Sequence, residues 1–202
     1  MVDYNVRFGA IEDNALHVAI DMQRIFAEPG RFYCEEFSSI VPVVSNITAH
    51  KPENTVFTRF VDRNRDELPR TVWQENYRQW VSDNLETIDK AMFDIVAPLL
   101  RFIPPVSVVD KHTYSAFESQ AFVNLLKNRQ PDTLIFTGVK TNFCVLATVL
   151  ASVDRCYRTL VVTDGVTGSS VETQLAVMKT LLPRFEQQIE LVSADNLLSQ
   201  WK

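Results

Sequence analysis

Glycine and histidine are scarce in this chain, five and three in 202 residues, and its 20 lysines and arginines are outnumbered by 25 aspartates and glutamates. Each shortage excludes something. With so few glycines, nine prolines and three cysteines, the chain is not a collagen, a low-complexity disordered segment or a disulfide miniprotein. A formal charge of −5 leaves no positive excess to hold phosphodiester backbones, so no nucleic acid partner is expected. No stretch reaches the ~18 consecutive apolar residues that would span a bilayer, so no membrane partner is expected either. The first fourteen residues lack the basic start and apolar block of a secretory signal, and the odd cysteine count agrees with a cytoplasmic protein.

What is present is a chain that is 46% hydrophobic, enough for one large domain. Short apolar runs rich in Val, Ile and Thr recur at 16–20, 55–58, 106–109, 133–137, 159–163 and 189–192. They lack in-out alternation, which predicts six strands buried on both faces in a parallel sheet. Helices are predicted between them at 35–49, 119–128, 142–154 and 170–182, the last stopped by Pro183. The fold class is therefore α/β, a three-layer α/β/α domain over 1–202, with strand order 3-2-1-4-5-6. The stretch 59–105 is longer than an ordinary connection and reads as a cap-like insertion, with loop at 62–69 and helical character at 71–80.

In such a sheet, ligands bind beyond the carboxyl ends of the strands, where Asp21, Lys111 and Cys144 all fall. Each has an ordinary explanation: a helix cap, a solvated charge, a small buried hydrophobe. Together they suggest chemistry. A turn following Gly138 and opening a helix would stabilise a Cys144 thiolate, with Lys111 adding positive charge and Asp21 serving as base. Cys34, beside Glu35 and Glu36, and Cys156, at the start of a strand, suit that role less well. Arg59, which ends the second apolar run, reads either as an anchor for a substrate carboxylate or as a partner for the neighbours of Asp21. Phe60, Trp73, Tyr114 and Phe117 are further candidate pocket residues, although Trp73, Tyr77 and Trp80 also have the spacing of a packing stripe.

Several segments in order along the chain resemble the isochorismatase-like cysteine hydrolases, a family that includes nicotinamidases and carbamoylsarcosine amidases. They are Ala-Ile-Asp-Met-Gln at 19–23, Phe-Thr-Arg-Phe at 57–60, Val-Asp-Lys at 109–111 with Tyr-Ser-Ala-Phe at 114–117, Thr-Gly-Val-Lys-Thr-Asn-Phe-Cys-Val at 137–145, and Val-Val-Thr-Asp-Gly-Val at 161–166. The resemblance implies a catalytic triad of Asp21, Lys111 and Cys144. It also implies a cis Val139–Lys140 peptide and an oxyanion hole formed by the backbone N–H groups of Lys140 and Cys144. It implies an enzyme cleaving a C–N bond of a small amide or carbamoyl compound through a thioester, as a homo-oligomer, dimer or tetramer, in which part of 62–80 meets a partner chain.

The nicotinamidases of this family hold a metal with histidines after the second strand, whereas 58–69 here contains none, so neither metal nor cofactor is expected. Lys140 departs from the small or acidic residue typical beside the cis bond. The alternatives are an isochorismatase-like vinyl-ether hydrolase, which uses no nucleophilic cysteine, and a ligand-binding member without turnover.

Overall fold

A computed structural model describes residues 4–61 and 89–202. Six strands, β1 (Leu16–Ile20), β2 (Thr55–Phe60), β3 (Ser107–Lys111), β4 (Thr133–Val139), β5 (Arg158–Thr167) and β6 (Ile189–Val192), form one sheet in the order β3-β2-β1-β4-β5-β6. Every pairing is parallel. β1 pairs with both β2 and β4, so residues that follow it lie at the centre of the carboxyl edge.

The helices are α1 (Arg24–Ala27), α2 (Phe37–His50), α3 (Ala97–Leu100), α4 (Gln120–Arg129), α5 (Leu146–Asp154), α6 (Val171–Leu175) and α7 (Ala194–Gln200). In α2 the buried Phe37, Ile40, Val44 and Ile47 recur at three- and four-residue intervals and form one apolar stripe. That stripe, with Leu197 and Trp201, covers the sheet face bearing Ala19, Phe57, Ile135 and Leu160. α4, α5 and the segment 176–185 cover the other face, packing on Leu16, Val18, Ile20, Leu134 and Phe136.

Three expectations change. The helix predicted at 142–154 opens with a π-helical turn at Thr141–Val145 before α5. The one predicted at 170–182 starts at a capping box, with Ser170 Oγ accepting from the Thr173 N–H, and passes through a π-helical segment, Ala176–Leu181. Pro183 does not stop it. It sits in the first turn of a 3-10 segment, Leu182–Phe185, where a proline's missing N–H costs nothing.

The cap-like stretch is described only in part. Its residues 62–88, including Trp73, Tyr77 and Trp80, lie outside the described residues. Beyond them, Ile95, Val96 and Leu99 are buried against Phe57 and Val106, and Gln23 forms an antiparallel bridge with Ile95. No described helix is long and apolar enough to cross a membrane.

Candidate active site

Asp21 follows β1 in a left-handed backbone conformation, φ 52°, a region aspartate tolerates better than most residues. Thr58 holds it there. The Thr58 hydroxyl accepts from the Asp21 N–H at 3.1 Å and donates to Asp21 Oδ1 at 2.7 Å, while the Thr58 carbonyl accepts from the same N–H at 3.2 Å. Gly138, the register partner of Ile20, sits at φ 105°, and a Cβ there would overlap the Ile20 carbonyl oxygen. Only glycine lets β4 approach β1 closely enough to deliver the following turn to Asp21.

Lys111 ends the edge strand β3 and reaches inward, fully buried, beneath the Phe60 ring at 5.3 Å. Its Nζ lies 2.8 Å from Asp21 Oδ2, donates to Cys144 Sγ at 3.3 Å, and donates to the Thr113 carbonyl at 3.0 Å. Burial alone would depress the ammonium, but the charge of Asp21 and the sulfur of Cys144 outweigh it and raise the Lys111 pKa. The contact with Oδ2 is a short, buried ion pair.

Cys144 lies in the π-helical turn, buried, and Thr148 Oγ1 donates to its carbonyl at 2.7 Å. Burial pushes the Cys144 pKa up to about 12; Lys111 pulls it down, but Asp21 opposes that pull by charge and by hydrogen bonding. That upward direction runs against the thiolate expected from the helix-opening turn.

The peptide between Val139 and Lys140 is cis. Tyr114 stacks on Phe143, ring centroids 5.7 Å apart, and burial first, then the neighbouring Cys144, raises its pKa. Phe60, against Lys111, is also at the site.

Two candidates are elsewhere. Arg59 alternates with Thr58 and Phe60 along β2 and so projects from the other face of the sheet. There it binds its register partner Asp110 through Nε at 2.7 Å and Nη2 at 2.9 Å, with Asp94 3.7 Å away. Phe117, 5% exposed, packs edge-to-face on Phe122 with Arg155 above its ring, in the helical layer and away from the carboxyl edge. Trp73 lies outside the described residues.

Cys34 is buried, its thiol donating to the Gly168 carbonyl at 2.8 Å, and burial raises its pKa. Cys156 is exposed at φ 62° in the turn before β5, rather than buried as a structural cysteine would be. His17 sits between Thr55 and Thr137 within the core, and burial lowers its pKa to about 3. Among the described residues no three His, Cys, Asp or Glu side chains cluster as metal ligands.

Two supporting residues were not singled out from the sequence. Thr58 fixes Asp21, as described. Gln23, buried, donates through Nε2 to the carbonyls of Phe60 and Phe93 and accepts from the Phe60 N–H, tying the end of β2 to the segment after 89. Both lie inside the recognised motifs, but their partners are fixed by strand register and not by nearby sequence.

A family model described as an isochorismatase domain matches residues 15–192, and the chain belongs to this family. Solved structures share the fold at low identity. A cysteine hydrolase from Pseudomonas syringae pv. phaseolicola 1448A is 21% identical, with a TM-score of 0.81, 99% of this chain and 98% of that one covered. A nicotinamidase pyrazinamidase from Acinetobacter baumanii is 19% identical, with a TM-score of 0.68 and coverages of 92% and 98%. The yeast nicotinamidase Pnc1p, bound to nicotinaldehyde, is 17% identical, with a TM-score of 0.68 and coverages of 89% and 99%. No curated protein matches the chain significantly in sequence.

Proposed function

We propose that this isochorismatase-family hydrolase cleaves a C–N bond of a small amide or carbamoyl compound through a thioester on Cys144. The observation that carries this reading is the buried contact of Lys111 with both Asp21 and Cys144. The Cys144 thiol gives its proton to Asp21 as sulfur attacks the substrate carbonyl carbon. Backbone N–H groups of Lys140 and Cys144 receive the developing oxyanion. Protonated Asp21 then delivers its proton to the departing amine, the C–N bond breaks and the thioester remains. Water attacks the thioester, Asp21 takes a proton from it, and that proton returns to sulfur as the acid leaves.

Lys111, in contact with both groups, stabilises the sulfur as negative charge develops on it. A raised thiol pKa suits this order, because deprotonation is then coupled to attack. Tyr114 and Phe60 form apolar wall for the substrate.

Self-association belongs to the same reading. Phe143, Val171 and Leu175 are 45%, 61% and 43% exposed, and all follow strands at the carboxyl edge, an apolar surface suited to a second copy. Light scattering at micromolar concentration is expected to give a dimer or tetramer, and a monomeric mass would remove this element.

The reading is tested by ammonia release from a panel of primary amides and carbamoyl compounds. At least one is expected to turn over, with a loss on the order of a thousandfold or more in Cys144→Ala and in Asp21→Asn. Hydrolysis that survives in Cys144→Ala would favour a cysteine-independent route such as ether hydrolysis. No turnover, with binding retained, would make the chain a binding member of the fold.

A further inference from the structure

Asn142 lies midway between Lys140 and Cys144, the two residues whose backbone N–H groups receive the oxyanion in the proposed reaction. Its half-buried side chain reaches the connection between β5 and α6. There Oδ1 accepts twice from one residue, from the Ser169 N–H at 3.0 Å and from the Ser169 hydroxyl at 3.2 Å. A backbone N–H can only donate, so the amide oxygen, and not the nitrogen, must point at Ser169. The two segments are close at this point, since a Cβ at Gly168 would lie 3.3 Å from the same oxygen.

Ser169 is a firm anchor. Before it, the Gly168 carbonyl accepts from the Cys34 thiol at 2.8 Å, and Gln174 Nε2 donates to the Val166 carbonyl at 3.0 Å. After it, Ser170 and Thr173 form the capping box of α6. The turn at Thr141–Val145 is less secure by itself, because it is π-helical, a rare geometry that occurs mostly as single turns at functional sites. Among the described residues, the two bonds at Asn142 Oδ1 are the hydrogen bonds that join this turn to the β5–α6 connection.

We propose that Asn142 is a positioning residue for the oxyanion hole: its two bonds to Ser169 hold the turn so that the Lys140 and Cys144 N–H groups stay aimed at the substrate carbonyl. The proposal rests on Cys144 as the nucleophile and adds what fixes the donors around it. Such donors act because they are already in place when charge develops, so a turn free to shift loses rate while the thiol stays available.

The test compares two small, uncharged reagents that both consume the Cys144 thiol. With p-nitrophenyl acetate, sulfur attacks the ester carbonyl, the thiol proton passes to Asp21, and a tetrahedral oxyanion collapses to a thioester as p-nitrophenolate leaves. With iodoacetamide, sulfur displaces iodide from a saturated carbon and no oxyanion forms. First-turnover release of p-nitrophenolate above the Cys144→Ala background gives the acylation rate, and peptide mapping gives the alkylation rate.

The ratio of acylation to alkylation is expected to fall at least ~10-fold in Asn142→Leu, which is similar in size and accepts no hydrogen bond. In Ser169→Ala, which removes one of the two donors, a fall of about 2- to 3-fold is expected. Asn142→Asp, whose carboxylate accepts both bonds, is expected to keep the ratio within about 2-fold. On an amide that the chain hydrolyses, Asn142→Leu is expected to lower kcat with KM changed less than about 2-fold. Should Asn142→Leu fail to fold, Asn142→Ala and Ser169→Ala carry the same comparison.

A purely structural role would slow both reactions together. An unchanged ratio in Asn142→Leu, or an equal loss in Asn142→Asp, would therefore overturn the proposal and leave Cys144 as the nucleophile. Absence of Cys144-dependent acylation in the native chain would remove the nucleophile reading and the proposal with it.

Discussion

One hydroxyl, that of Thr58, fixes both the backbone and the carboxylate of Asp21, accepting from its N–H at 3.1 Å and donating to Oδ1 at 2.7 Å. The other carboxylate oxygen is thereby left to face Lys111 and the thiol. Thr58→Val keeps the shape and removes the hydroxyl. We expect kcat to fall about 10-fold, with a stability loss of about 1–2 kcal/mol, read by ammonia release and thermal unfolding. A folded variant with undiminished kcat would show that Asp21 does not depend on this bond.

The Asp21–Lys111 pair is completely buried, so removing one member strands the other charge. Lys111→Met is expected to cost about 3–5 kcal/mol in urea unfolding at neutral pH. The double variant Asp21→Asn, Lys111→Met is expected to regain most of that stability while remaining inactive. Equal destabilisation of single and double variants would mean that Lys111 acts through packing rather than charge.

Gly138→Ala would drive a methyl group into the Ile20 carbonyl from a backbone at φ 105°. Neither strand end has room to move without breaking the β1–β4 pairing. Destabilisation beyond about 4 kcal/mol is expected, seen as loss of soluble, folded protein. A stable Gly138→Ala chain would contradict the close approach of β4 to β1.

His17 is neutral in the fold, with its pKa pushed down by burial from 6.5 to about 3. Between these values the unfolded chain binds a proton that the folded chain does not, so stability rises with pH and is lost as pH falls from about 6.5 toward 3. The slope from one such group is at most about 1.4 kcal/mol per pH unit. His17→Asn, which retains a polar group near Thr55, is expected to flatten that slope in denaturant titrations across pH 4–6. Parallel curves for the two proteins would remove His17 as the source.

Much of the frame was legible in the sequence, and the reasons are specific. β1 and β6 coincide with their apolar runs because those runs end in residues that leave the sheet, Asp21 and Ser193. β5 runs on to Thr167 because a register shift between Phe136 and Gly138 lets β4 keep pairing with Val166 and Thr167 beyond the apolar run. The segment around Ile95, Val96 and Leu99 was hidden because prolines and charges surround a short core-forming stretch.

The site was legible at Asp21, Lys111 and Cys144 because each follows or ends an apolar run at the same sheet edge. Which of the two readings of Arg59 holds was not legible, because strand alternation sends it to Asp110 on the opposite face while Thr58 meets Asp21. The direction in which packing shifts Cys144 was hidden as well. A helix-opening turn argues for a thiolate, but complete burial outweighs that dipole, and burial is a property of the packed fold.

The most direct test of the proposed mechanism is intact mass after rapid acid quench, during turnover of whichever amide the panel identifies. A fraction of the protein is expected to gain the mass of the acyl group, to map to the peptide containing Cys144, and to lose that mass in neutral hydroxylamine, as a thioester does. Cys144→Ala should show no adduct and no turnover. An adduct on Cys34 or Cys156, or turnover that persists in Cys144→Ala, would contradict the assignment of Cys144 as the nucleophile.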